Sequence, residues 1–183
     1  MTGSGIFPRI NNFMAIQNLL KDGLLLFVKE CNHLADIVGR EDKNCPYTHV
    51  GIIYNKGVIH SHTDKKAQGA VKYEDIKTFM DGIDIYGLYK PLVDYTIMKK
   101  ASLKAVSYIG RPFDGSFTLI NDDAVYCTEL IWRSYLFAGV DLVESRIKTI
   151  NFMRARQIIL PSSILKSKYL VKKEIRKCII PFN

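Results

Sequence analysis

Residues 47–62, YTHVGIIYNKGVIHSH, constrain the fold more than any other stretch of the 183-residue chain. Two runs rich in β-branched and aromatic residues, YTHVGIIY and GVIHSH, are separated only by Asn55-Lys56, with Gly57 as the permissive turn position. So short a connection calls for two adjacent antiparallel strands. Three of the four histidines, His49, His60 and His62, lie on this hairpin. His49 and His60 sit on opposite strands, where a cross-strand pair can form.

The same patterning predicts the rest. Asn12–Lys21 forms a short amphipathic helix, with Phe13, Ile16, Leu19 and Leu20 at helical spacing and Gly23 closing it. GLLLFVKE has strand length, and CNHLADIVGRED forms a turn of helix before a loop ending at Pro46. AVKYEDI adds a strand, EDIKTFMD a short helix, and IDIYGLYKP a strand that stops at Pro91. Asp94–Ile109 is a helix with Ile97, Ala101, Ala105 and Ile109 on one stripe. AVYCTELIWRSYLFAG is another, stopped by Gly139, so that Cys127 falls at or just before its first turn. PSSILKS gives a last short helix and KYLVKKEIRKCII one or two strands. The expectation is an α+β chain, residues 1–183 forming one domain without internal repeats.

A hydrophobic share of 48% against 24% charged residues, with no low-complexity run, supplies material for a packed core. The longest apolar run, LLLFV, is far short of the roughly 18 residues that cross a bilayer, and MTGSGIFPRINN lacks the pattern of a secretion leader. An intracellular, cytoplasmic location is therefore expected. Cys31, Cys45, Cys127 and Cys178 are widely spaced with no CxxC pair, which argues for free thiols and against a zinc ribbon or disulfide scaffold.

The net charge of +8 is concentrated at one end. Ten Lys or Arg and one acid, Glu174, fall between Arg146 and Cys178, a local +9 that leaves −1 for the remainder. The plainest reading is a set of solvated faces. An anionic membrane surface is the second candidate partner, and nucleic acid is disfavoured because no recognisable binding motif accompanies the charge. The sequence is silent on oligomeric state.

Cys127 carries the clearest chemical signal. A thiolate at a helix N-terminus is favoured by unpaired N–H groups and the positive end of the dipole. A nucleophilic cysteine also needs an imidazole and a third polar group to orient it. Taken singly, each residue has a blander reading: Cys127 as a small buried hydrophobe, His49, His60 and His62 as sheet decoration. No HExxH or CxxC spacing supports a metal site, and no cofactor is expected.

Together the motifs LLKDGLLLFV, YTHVGIIY, GVIHSH, SYIGRPFDGSF and YCTELIWRSYLFAG resemble, in order and spacing, the permuted papain-like NlpC/P60 superfamily, specifically its YiiX/YebB-like branch. The resemblance covers Leu19–Val140 and leaves 146–183 as a basic C-terminal extension. It implies a circularly permuted papain-like fold, an antiparallel sheet or partial barrel packed against helices that include the one starting at Cys127. It further implies Cys127 as nucleophile, His49 as general base and His60 as third member, with His62 as fallback. YiiX-like members usually carry Glu at that third position, so His60 is closer to the lecithin:retinol acyltransferase-like branch, which uses two histidines and a cysteine. Tyr126 and the backbone N–H of Cys127 fall where an oxyanion site would be, Thr128 and Glu129 match the S-E of the family motif, and Asp114 matches a structural position.

The activity this resemblance implies is that of a cysteine hydrolase or acyltransferase forming a thioester acyl-enzyme, acting on an amide or ester bond in a peptide, a cell-wall fragment or a lipid. The alternative is a catalytically silent structural or binding protein with the same fold. Poxviruses encode a virion-associated protein resembling this branch, which makes packaging into virions part of that alternative.

Overall fold

The computed structural model describes residues 19–63, 69–143, 148–150 and 156–177. Most of the helix expected at Asn12–Lys21 and all of Cys178 lie outside them. Among the described residues, eight strands and five helices run in the order β1 (Leu25–Val28), α1 (His33–Glu41), β2 (His49–Tyr54), β3 (Gly57–Thr63), β4 (Gly69–Asp75), α2 (Ile76–Phe79), β5 (Ile85–Pro91), α3 (Tyr95–Val106), α4 (Cys127–Phe137), β6 (Lys148–Ile150), β7 (Arg156–Ile158), α5 (Pro161–Leu165) and β8 (Leu170–Lys177). Six strands form one antiparallel sheet in the order β4-β3-β2-β1-β5-β8, while β6 and β7 pair separately.

β1 lies inside the sheet and is buried on both faces, which is why LLFV reads as a continuous apolar run instead of alternating. Leu25, Phe27, Val50, Ile52, Ile59 and Val71 face α3 and α4, packing on Ala101, Ala105, Leu130, Ile131 and Tyr135. Leu26, Val28, Ile53, Val58, Tyr86 and Leu88 form the opposite face, covered by Ile76 and Phe79 of α2. The C-terminal basic segment supplies β8, which pairs with β5 and so belongs to the sheet.

Two expectations change. In the β2–β3 turn the positive φ angles are at Asn55 (45°) and Lys56 (63°), the pattern of a type I′ turn, so Gly57 is not the residue that permits it. Gly57 is required by space: a Cβ there would lie 2.4 Å from the Tyr73 ring. The helix at Asp94 ends at Val106, three residues early, and Ile109 is left exposed beside Gly110 (φ 90°).

Candidate active site

α4 begins where Tyr126 leaves extended conformation (φ −95°, ψ 172°), making Cys127 its first residue. The chain approaching it is fixed to the edge of β4. Phe113 N–H donates to Gly69 O, Val125 N–H to Pro112 O, and Asp114 accepts from the backbone N–H groups of Ser116 and Thr118. Ser61 on β3 donates through Oγ to Val125 O at 2.6 Å, tying this approach to the hairpin.

The β2–β3 ladder runs from Tyr54↔Gly57 to Ile52↔Ile59, short of His49 and His60. Beyond it, the amide of Val50 is a hydrogen-bond partner of the Cys127 sulfur, along with the amides of Thr128 and of Cys127 itself. These N–H groups favour the thiolate, as the helix start predicts. Burial works the other way and is larger, and the carboxylate of Glu30 adds to it, so the thiol is pushed up to about 12. A helix N-terminus alone predicts the opposite direction; the loss of water outweighs it.

His49 and His60 are both buried. His49 Nε2 lies 2.9 Å from His60 Nδ1, with the rings edge to face, and Phe79 packs against both. His60 Nε2 lies 3.0 Å from Glu74 Oε2, and Glu74 Oε1 accepts from Lys72 Nζ at 2.5 Å. Burial, reinforced by the charges of His49, Lys72 and His62, holds the His60 imidazole far below the ordinary histidine range. Its contact with Glu74 is therefore a hydrogen bond from a neutral ring, not an ion pair. Sequence reading missed Glu74; its strand was recognisable, but no local pattern says which face it presents.

Glu30, also missed, follows β1 and sits with Oε1 3.8 Å from His49 Nε2. Burial raises its pKa, but the charge of His49 and a hydrogen bond from Asn32 outweigh that, and the net direction is down. His62 is half-buried, 5.7 Å from His60 between ring centres, and does not meet His49 Nε2; His60 does.

The residues flanking Cys127 grip the backbone of one residue, Ile159. Tyr126 Oη accepts from Ile159 N–H (3.0 Å), and Thr128 Oγ1 donates to Ile159 O (2.7 Å). Glu129 is fully buried, accepting from Arg133 Nε at 2.8 Å and from Tyr126 N–H at 3.4 Å. Burial pushes its carboxyl up to about 7 despite Arg133. Cys127, His49, Glu30 and Thr48 line one small cavity of about 20 Å³, whose walls include Phe113, Phe117 and the segment Ile158–Pro161. That is room for about one water.

A family model described as permuted papain-like amidase enzyme, YaeF/YiiX, C92 family, matches residues 18–172. The chain belongs to this family. The match reaches well past Val140 and takes in β6 to the start of β8. The crystal structure of the metalloprotein YiiX from Escherichia coli O157:H7 is similar in fold, with a TM-score of 0.70 at 17% identity, covering 85% of this chain and 97% of that one. No curated protein matches. The sheet of six antiparallel strands with α3 and α4 on one face is thus the permuted papain-like architecture. Among the described residues no group of three or more His, Cys, Asp or Glu is arranged to hold a metal ion. Nor, among them, is any helix long and apolar enough to cross a membrane.

Proposed function

We propose that the chain is a cysteine amidase in which Cys127 is the nucleophile and His49 the general base. The observation that carries this reading is the bond between His49 Nε2 and His60 Nδ1, which leaves Nδ1 of His49 as the nitrogen for the thiol proton, in a cavity that Cys127 and His49 both line. With the thiol protonated at rest, proton transfer to His49 accompanies attack. The sulfur bonds to the substrate carbonyl carbon, the imidazolium protonates the departing amine or alcohol, and a thioester remains. Water, deprotonated by the same imidazole, then releases the acid and restores the thiol. The amide of Cys127, at the helix start, is the donor assigned to the developing oxyanion in this reading. His60 is the orienting third member. Hydrolysis is preferred to acyl transfer because the family is one of amidases.

A catalytically silent fold is the second reading, favoured by the small cavity and the raised thiol pKa. Incubation with short-chain p-nitrophenyl esters separates the two. The enzyme reading expects release of p-nitrophenol and a transient acyl mass on Cys127, both abolished in Cys127→Ser and reduced about 10²- to 10⁴-fold in His49→Ala. A folded wild-type protein that neither acylates nor turns over overturns it. An anionic membrane partner keeps its sequence support in the basic segment, and salt-sensitive sedimentation with anionic vesicles is its test.

A further inference from the structure

We propose that Glu74 is a positioning residue of this site, fixing through His60 the tautomer in which His49 presents a bare Nδ1. This rests on the Cys127–His49 reading for its catalytic consequence, but not for its geometry. The relay steps diagonally across three strands. His60 is opposite Lys72 in the β3–β4 ladder and Glu74 is opposite Val58, so Lys72 and Glu74 share the sheet face of His60.

A carboxylate only accepts hydrogen bonds, and an ammonium only donates. Glu74 Oε1 is held by Lys72 Nζ at 2.5 Å, and Oε2 faces His60 Nε2 at 3.0 Å. The proton in that second contact must then belong to His60 Nε2. A neutral ring with its proton on Nε2 has a lone pair on Nδ1, so the 2.9 Å contact with His49 is donated by His49 Nε2–H. His49 in turn has its lone pair on Nδ1. One carboxylate thereby sets the proton positions of two imidazoles, and its negative charge, passed through His60, stabilises the imidazolium that forms on His49. The carboxylate is supplied from the next strand, β4, behind a histidine spacer.

Glu74→Gln reverses the chain. Lys72 Nζ, in contact with this group and able only to donate, draws the oxygen of the new amide and leaves its NH₂ facing His60 Nε2. His60 then has its proton on Nδ1 and donates to His49 Nε2, leaving the proton of His49 on Nδ1, where it blocks the thiol proton. Long-range ¹H–¹⁵N spectra of histidine-labelled protein read this directly. The expected result is Nε2–H at both histidines in the wild type and Nδ1–H at both in Glu74→Gln, with p-nitrophenyl ester acylation slowed on the order of 10²-fold or more. Adding Lys72→Met to Glu74→Gln frees the amide to turn its oxygen to His60, and should restore the Nε2–H forms and part of the rate. A merely structural carboxylate would not produce that rescue. Folded Glu74→Gln protein with unchanged tautomers overturns the proposal even if the wild type is active. Switched tautomers in a protein that never acylates would leave Glu74 standing and remove the amidase reading.

Discussion

His49 Nε2 and His60 Nδ1 meet at 2.9 Å although the β2–β3 ladder ends before either residue. Carried on by one step, the register sets Gly51 across from His60, so the two imidazoles touch on the diagonal, over a position with no side chain.

Only glycine fits there. A Cβ on Gly51 would lie 2.2 Å from Val58 Cγ1 and 3.3 Å from His60 Cβ, both inside a packed face. Gly51→Ala should cost about 1–3 kcal/mol and displace His60. Urea unfolding should show the loss, and the His49–His60 pairing should weaken in histidine spectra. A variant as stable as wild type with unchanged spectra would contradict this.

The buried thiol makes stability depend on pH. Its folded pKa, about 12, lies above the ordinary value of 9.0. The stabilising contribution is therefore complete below about pH 9 and lost as pH rises toward 12. In Cys127→Ala this pH dependence disappears, so the stability difference between wild type and variant should shift against the wild type by roughly 1–2 kcal/mol from pH 8 to pH 10. Parallel stability curves over that range would refute the raised pKa.

Glu129 and Arg133 form a buried charge pair near the site. Glu129 has a folded pKa of about 7, above the ordinary 4.5, so its contribution is full below pH 4.5 and falls as pH rises through 7. Arg133→Met removes the partner and steepens that fall. The expected destabilisation is on the order of 3 kcal/mol at pH 8, with less than half that at pH 5, where the carboxyl takes a proton. Chemical denaturation at the two pH values checks this, and equal losses at both would count against it.

Thr128→Val and Tyr126→Phe each strip one partner from the backbone of Ile159. Each should cost about 1–3 kcal/mol, because a buried carbonyl or amide is left unpaired. Since Ile159 walls the cavity, both should also raise KM for an ester substrate more than they lower kcat. A double-mutant cycle with no coupling between them would mean that the Ile159 backbone is not clamped as one unit.

Much of this molecule was readable from local pattern. Strand alternation and turn spacing located the β2–β3 hairpin, and helical spacing with terminal glycines located α3 and α4. The motifs around His49 and Cys127 pointed to the permuted papain-like family and hence to the sheet. Such features are short-range, set by the chain's own periodicity and by which residues tolerate turns.

The site's electrostatics were decided elsewhere. Glu30, just after one strand, and Glu74, within another, are unremarkable acids in sequence, and only sheet register brings one beside His49 and the other behind His60. The helix start alone calls for an acidic thiol, whereas burial among Phe113, Phe117 and Ile159, with Glu30 alongside, makes it a weak acid. Desolvation and charge proximity depend on what distant segments place around a group. By itself the sequence marked out the elements and the cysteine and histidines of the candidate site; tertiary packing decided which carboxylates face them and how deeply they are buried.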